Sequence, residues 1–372
     1  MHEHHVTEAG PDGPIVKPLP ADEFRVYGSN AEMRWEVMRE HGYVVPNASF
    51  FVRNHTSTPL IDARTWNLRV FGTGLRGPAI PGNPVRFSYQ DLLDLPARTV
   101  VSSIECAGNG RSFFTTQQDQ TMTDTPWQLG AIGVAAWRGV PLSLVLERAG
   151  ITRQAVDVMP YGLDPAYIVD GIDYGRVRRP IPVSKALDDV ILAYEMNGVP
   201  LPPDSGYPVR VIVPYWAGIA SIKWVGQIEV SATPLVSYWN THAYRLFGPA
   251  YPPQGTPITT QVTRSTFELA PNARLPAHRD YCSPAGPGPA TAPSSGPRSA
   301  PTAGAAGTRP SPATAAPRPP GSGGSSRGGP QARGPIRYGP ALPTSRAPPS
   351  RPPSPPTRSD TSSTASSGTR SR

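Results

Sequence analysis

Ser103-Ile-Glu-Cys106-Ala-Gly-Asn-Gly110-Arg111 is the stretch on which the reading of this 372-residue chain turns. The run leading into the cysteine, Val100 to Ile104, is rich in β-branched residues and predicts a strand. The residues after the cysteine are small or turn-forming, so backbone can approach closely whatever the sulfur touches. By residue type alone a solitary cysteine is more often a small buried hydrophobe. The chemical alternative is a thiolate on a soft metal, kept deprotonated by the metal's charge.

On the N-terminal side, Phe50-Phe-Val-Arg53-Asn54-His55 sets a guanidinium, an amide and an imidazole after two aromatics. That set suits phosphate or another oxyanion, and a polar turn after a strand explains it equally well. Pro208 to Val213 and Ser221 to Val230 are apolar runs around a glycine-containing bend, and they carry Arg210 and Lys223. Buried cations need partners: a carboxylate of the same domain, or a bound anion. Gly72-Thr-Gly74-Leu-Arg-Gly77 fits the dinucleotide spacing, but Pro78, Pro81, Gly82 and Pro84 forbid the helix that motif requires. A loop is expected there.

Helices are predicted over Ala31 to His41, over Tyr89 to Leu95 behind Ser88 as cap, and over Leu142 to Ala149 between Pro141 and Gly150. Strands are predicted over Thr65 to Phe71, Thr99 to Glu105, Ala155 to Met159, Val190 to Tyr194, Pro208 to Val213 and Ser221 to Val230. Their irregular order favours α+β over a doubly wound sheet.

Composition breaks near residue 282. Residues 283 to 372 hold 21 Pro and 11 Arg against one Leu, one Ile and one Tyr, too little apolar surface to bury, so disorder is expected. Those arginines and one Asp give +10, more than the chain's net +8, leaving 24 basic and 26 acidic residues, or −2, in residues 1 to 282. Capture of nucleic acid by the folded part is therefore not expected. Two cysteines, Cys106 and Cys282, exclude a disulfide framework. The leader carries His2, His4 and His5 but no secretory pattern, and no apolar run is long enough to span a bilayer, so a cytoplasmic protein is expected.

In order and spacing these segments resemble the oxidoreductases with a mononuclear molybdenum-pterin cofactor, typified by sulfite oxidase. The similar stretches are Phe50 to His55, Ser103 to Arg111, Pro126 to Arg148, Ala193 to Arg210 and Val211 to Val230, within roughly residues 45 to 270. The resemblance implies an α+β molybdopterin domain over residues 26 to 270, after a polar leader, 1 to 25. A low-complexity tail, 271 to 372, would then stand where the family has an immunoglobulin-like dimerisation domain. We read that replacement as a frameshift near Ala277 to Cys282.

It further implies Cys106 as the molybdenum ligand. Cofactor contacts would fall on Phe51, Val52, Arg53, Asn54, His55, Asp164, Ser205, Arg210, Ser221, Ile222 and Lys223, and the substrate pocket on Arg53, Arg111, Trp127 and Tyr244. The activity implied is oxygen-atom transfer to sulfite or a related sulfur oxyanion, with electrons passed to an external acceptor such as a cytochrome. The rival is an inactive or cofactor-binding remnant, or a sulfane dehydrogenase, sulfoxide reductase or nitrate reductase relative. Departures from the family pattern are Gly110 for an arginine, Ser205 for a histidine and Thr123 for a lysine.

Overall fold

The computed structural model describes residues 14–264 apart from Pro78, together with Thr266 and Arg274; apart from Arg274, the expected tail lies outside the described residues. The chain divides into Met1–Arg298 and Ser299–Arg372, and every described residue belongs to the first unit. Two five-stranded sheets dominate it. One runs in the order Ile181–Pro182, Asp157–Gly162, Val225–Ser231, Asn67–Phe71, Val85–Ser88, with the Val225–Ser231 and Asn67–Phe71 pair parallel and the rest antiparallel. The other is antiparallel throughout, in the order Val199–Pro200, Ile191–Met196, Ile132–Pro141, Arg98–Glu105, with Arg210–Ile212 also on Ile191–Met196. Mixed sheets with short interspersed helices make the fold α+β, as expected.

The second sheet is covered on both faces. Ile191 and Ala193 enter one hydrophobic cluster with Trp137 and Phe50, while Leu192 and Tyr194 enter the other with Val140 and Leu146. A strand buried on both faces reads as a continuous apolar run instead of an alternation. That is why Ile132–Pro141, ten residues at the centre of the sheet, carries no strand signature in the sequence. Its glycines serve packing: a Cβ on Gly139 would meet the Leu192 carbonyl, and one on Gly133 the ring of Phe50.

The helix expected over Ala31 to His41 does not form. Asn30–Met33 is instead the second strand of a hairpin with Phe24–Tyr27, turning through Gly28-Ser29, and it also pairs with Val52–Arg53. Gly28 has φ +61°, the left-handed conformation such a two-residue turn needs. Glu32 is buried and accepts from the Tyr27 hydroxyl at 2.9 Å and the Gln128 amide at 2.8 Å, contacts a helix would lose. Only a 3-10 turn, Trp35–Glu40, remains of that expectation.

The other local signals hold. Ser88 and Asp91 form a reciprocal capping box at Tyr89–Leu93, and Gly150 stops Leu142–Ala149 at φ +87°. The Gly72 to Gly77 segment is a loop; Gly74 donates to the Val230 carbonyl at 2.9 Å, so its glycines dock it on a strand.

Candidate functional site

The strand Arg98–Glu105 delivers Cys106 to the floor of a recess between the hairpin side and the 203–224 segment. The Cys106 amide donates to the Ala131 carbonyl at 2.9 Å, and the Gly108 amide points at Sγ at 3.4 Å. Burial pushes the thiol's pKa up, with the Arg53 guanidinium acting in the opposite direction. Glu105, 5% exposed, accepts from Asn109 Nδ2 at 3.0 Å and pairs with Arg264 at 3.2 Å. Arg264 also donates to the Asn109 carbonyl, and its guanidinium lies beside the Gly110 position. A cation from a distant segment therefore stands close to where the family pattern carries an arginine.

Phe51, Arg53, Asn54, His55, Asp164, Ser205, Arg210, Ser221, Ile222 and Lys223 line this recess with Cys106. Val52, between two lining residues, does not: strand alternation turns its side chain into the core. Arg210 donates to the carbonyls of Ser205 at 2.9 Å and Ser221 at 3.0 Å, and its Nε is buried without a partner. Burial brings its pKa down to about 9. Lys223 donates to Asn54 Oδ1 and the Asp204 carbonyl, and burial with the nearby Arg210 charge lowers its pKa well below the ordinary lysine value. Among the described residues neither Arg210 nor Lys223 forms an ion pair. Only the Asp204 and Asp164 carboxylates, beyond ion-pair distance, act on Lys223, and Arg210 keeps a buried N–H without a partner, so the recess suits an anion.

His55 is held neutral by burial and by the charges of Arg53 and Lys223. Its Nε2 lies 2.8 Å from the Arg53 guanidinium and 3.0 Å from Tyr244 Oη. A guanidinium only donates, so Nε2 accepts and the ring proton sits on Nδ1. Asp164, pushed up to about 6 by burial, closes the wall near Lys223.

Arg53, His55, Cys106 and Tyr244 are shared with a second, outer cleft of about 400 Å³, and Arg111 and Trp127 line only that one. Burial raises the Tyr244 phenol. Arg111 is aimed by Asp124 at 3.1 Å and the Thr125 carbonyl at 3.0 Å, and packs against Gly108, where a Cβ would come within 2.6 Å of the guanidinium. Trp127 makes an edge contact with Tyr27. All four residues expected at the substrate pocket therefore face one space.

Sequence reading did not single out Asp204, Asp124, Trp239 or Tyr167. Asp204 accepts from the Val16 and Lys17 amides at 3.0 and 2.8 Å and from Thr58 at 2.6 Å, a role that a surface-like Pro-Pro-Asp-Ser segment gives no sign of. Trp239 and Tyr167 make edge contacts with the His55 ring at centroid distances of 4.4 and 5.5 Å.

The fold and this recess define a class of site: an α+β scaffold that sets a single buried thiol against buried basic groups. Residues 55–239 match the family described as oxidoreductase molybdopterin binding domain. Human mitochondrial sulfite oxidase is 38% identical over 245 residues, 64% of this chain and 42% of that protein. The mouse enzyme is 38% identical over 59% of this chain and 39% of its own length, and barley nitrate reductase 35% over 57% and 23%. The chain thus spans less than half the length of these curated relatives. Among solved structures, the sulfane dehydrogenase SoxCD of Paracoccus pantotrophus shares the fold, with a TM-score of 0.53 and 23% identity over 68% of this chain and 58% of that one.

The chain belongs to the molybdopterin-binding oxidoreductases typified by sulfite oxidase, and that membership indicates a molybdenum cofactor. The recess fits such a group. Among the described residues no set of three or more His, Cys, Asp or Glu side chains could hold a metal. A metal at Cys106 would therefore draw its remaining ligands from an organic group, and the partnerless Arg210 Nε marks where that group's anionic end belongs.

Proposed function

We propose that this chain is an oxidoreductase that adds an oxygen atom to sulfite or a related small sulfur oxyanion and passes the two electrons to an external acceptor. The observation that carries the reading is the pairing of two chemistries in one space. A lone thiol and buried cations that form no ion pair make up the inner recess, and the same thiol looks out, past Arg53 and Tyr244, into a cleft where Arg111 waits.

Cys106 is the ligand in this reading, and loading the metal releases the thiol proton that burial retains. Arg210 and Lys223, with Asn54 and His55, hold the cofactor's anionic end, while Ser205, Ser221, Ile222, Phe51 and Asp164 shape its seat. When bound, the molybdenum cofactor supplies the oxygen-transfer and two-electron chemistry. Arg53 and Arg111 grip the oxygens of the incoming anion, the Tyr244 hydroxyl, turning its one proton away from His55, donates a further hydrogen bond, and Trp127 walls off water. Neutral His55 accepts from Arg53 and so fixes that guanidinium's direction. Overall, sulfite and water give sulfate, two electrons and two protons.

The test is metal analysis and sulfite-dependent reduction of an artificial electron acceptor by the purified full chain, with nitrate reduction by a reduced dye as the second arm. Close to one molybdenum per chain with sulfite turnover is expected. Cys106→Ser should lose both metal and turnover while keeping the fold. Absence of molybdenum from a folded, correctly expressed chain, or turnover retained by the serine variant, refutes the reading.

A further inference from the structure

The outer cleft contains a residue that works against the anion it is proposed to bind. Asp124 is the one carboxylate among the described residues lining it, against Arg53, Arg111 and Arg245. Arg53 and Arg245 are partnered there by carbonyls and neutral side chains. Arg111 alone is ion-paired, through Nη1 at 3.1 Å from Asp124 Oδ2. The Asp124 side chain is 61% exposed at the mouth and that of Arg111 20% exposed, so solvent and solutes reach the pair from outside. The carboxylate's other oxygen accepts from the Thr125 amide at 2.7 Å, which fixes it in place. Its negative charge is felt at Arg53, Cys106 and Tyr244, the groups at the cleft's inner end.

Resting on the proposed function, we propose that Asp124 is a specificity-determining residue: a built-in counter-ion that weakens binding of small oxyanions in proportion to their charge and so hastens departure of a doubly charged product. An oxyanion entering the cleft must displace Asp124 from Arg111 or settle beside it. The first costs an ion pair, and the second costs repulsion that doubles from a monoanion to a dianion at equal distance. The carboxylate meanwhile keeps Arg111 aimed into the cleft when no anion is present, which lowers the ordering cost of binding.

The experiment is calorimetric titration of the full-length holoenzyme with sulfate, a dianion, and nitrate, a monoanion, at several ionic strengths. Asp124→Asn keeps an acceptor for the Thr125 amide and removes only the charge. It should bind sulfate about tenfold tighter and nitrate roughly threefold tighter, with a steeper salt dependence, as expected when one rim charge is removed. In steady state its KM for sulfite should fall while kcat stays level or drops as product release slows. Asp188→Asn, which removes an exposed acid outside the cleft, should change neither affinity. In an Arg111→Gln background the gain from Asp124→Asn should shrink, because the displaced pair is gone.

Unchanged sulfate affinity in Asp124→Asn, or an equal gain in Asp188→Asn, overturns the proposal while leaving the cleft's function intact, provided Arg111→Gln weakens sulfate. If Arg111→Gln leaves sulfate binding unaltered, or no variant binds sulfate, the oxyanion cleft itself is refuted and this inference with it.

Discussion

Arg210→Met should make the cofactor-free protein more stable and the cofactor-loaded protein scarcer. The guanidinium is 6% exposed, and burial lowers its pKa to about 9. At ~1.4 kcal/mol per tenfold, that fall sets ~5 kcal/mol against the charged form. The sign comes from the direction of the shift. A cation whose folded pKa is depressed carries its full penalty below the folded value, and the penalty fades only as pH rises past about 9. At neutral pH it is therefore all present.

Against it stand two hydrogen bonds to carbonyls, at ~1 kcal/mol each, and a contact of the guanidinium with the Trp137 ring at 5.0 Å, worth ~1 to 2 kcal/mol. A net gain of ~1 to 2 kcal/mol on replacement by methionine remains, in keeping with the behaviour of buried charges replaced by apolar groups. Urea unfolding of the full chain, made in a host that cannot synthesise the cofactor, measures it. In a host that can, molybdenum per chain should fall, since losing a charge-assisted contact costs ~1.5 to 3 kcal/mol of affinity. A methionine variant less stable by more than ~1 kcal/mol, with loading unchanged, would show Arg210 to be a structural cation satisfied by its carbonyls, and the anion argument would collapse.

Gly130→Ala places a Cβ against the Met33 carbonyl and should cost more than ~2 kcal/mol by overpacking, whereas Gly82→Ala, with open space around it, should leave the melting temperature within about a degree or two. Arg264→Gln leaves the buried Glu105 carboxylate with Asn109 alone; a loss of ~1 to 2 kcal/mol is expected, partly because Arg264 is itself 43% exposed, and Glu105→Gln in the same chain should restore most of it. Lys17 is pushed down to about 7 by burial, outweighing the Asp204 carboxylate. Above that pH the unfolded chain holds a proton the folded chain has given up, so stability should rise with pH from 7 towards 9; Lys17→Met should flatten that rise by ~1 to 2 kcal/mol in denaturation curves.

Two cations of the inner site were legible because they break local rules of composition, whereas Cys106 and the other recess residues were singled out by the family resemblance. Arg210 and Lys223 stand in apolar runs where a cation has no ordinary reason to be, and the turn-forming residues after Cys106 announce a close approach. The capping box at Ser88 and the stop at Gly150 were legible for a simpler reason: both motifs are satisfied within a few residues. The hairpin at Gly28 was lost to a helical reading because its strand is held by Val52 and by the buried Glu32, whose partners are not near in sequence. Ile132–Pro141 was missed because burial on both faces erases the period of two. Asp124 and Asp204 look like surface acids in a linear reading; their partners lie 13 residues away in one case and about 190 in the other.

That long reach explains how the cradle is held ready before any cofactor arrives. Asp204 ties the leader at Val16 and Lys17 to Thr58, which accepts from Asn54 Nδ2; the Asn54 amide oxygen and the Asp204 carbonyl in turn both accept from Lys223. Both acceptors that Lys223 meets directly are neutral, and the Asp204 and Asp164 carboxylates act on it only from beyond ion-pair distance, so its geometry is fixed while its charge is only partly offset. An ammonium has three donors and two are occupied; Arg210 has one N–H without a partner. The two remaining donors and the excess of positive charge suit a ligand with several acceptor oxygens and net negative charge. Carboxylates in direct contact with Lys223 would have made a more stable empty protein and a weaker binder, and neutral direct partners leave electrostatic attraction available to the ligand.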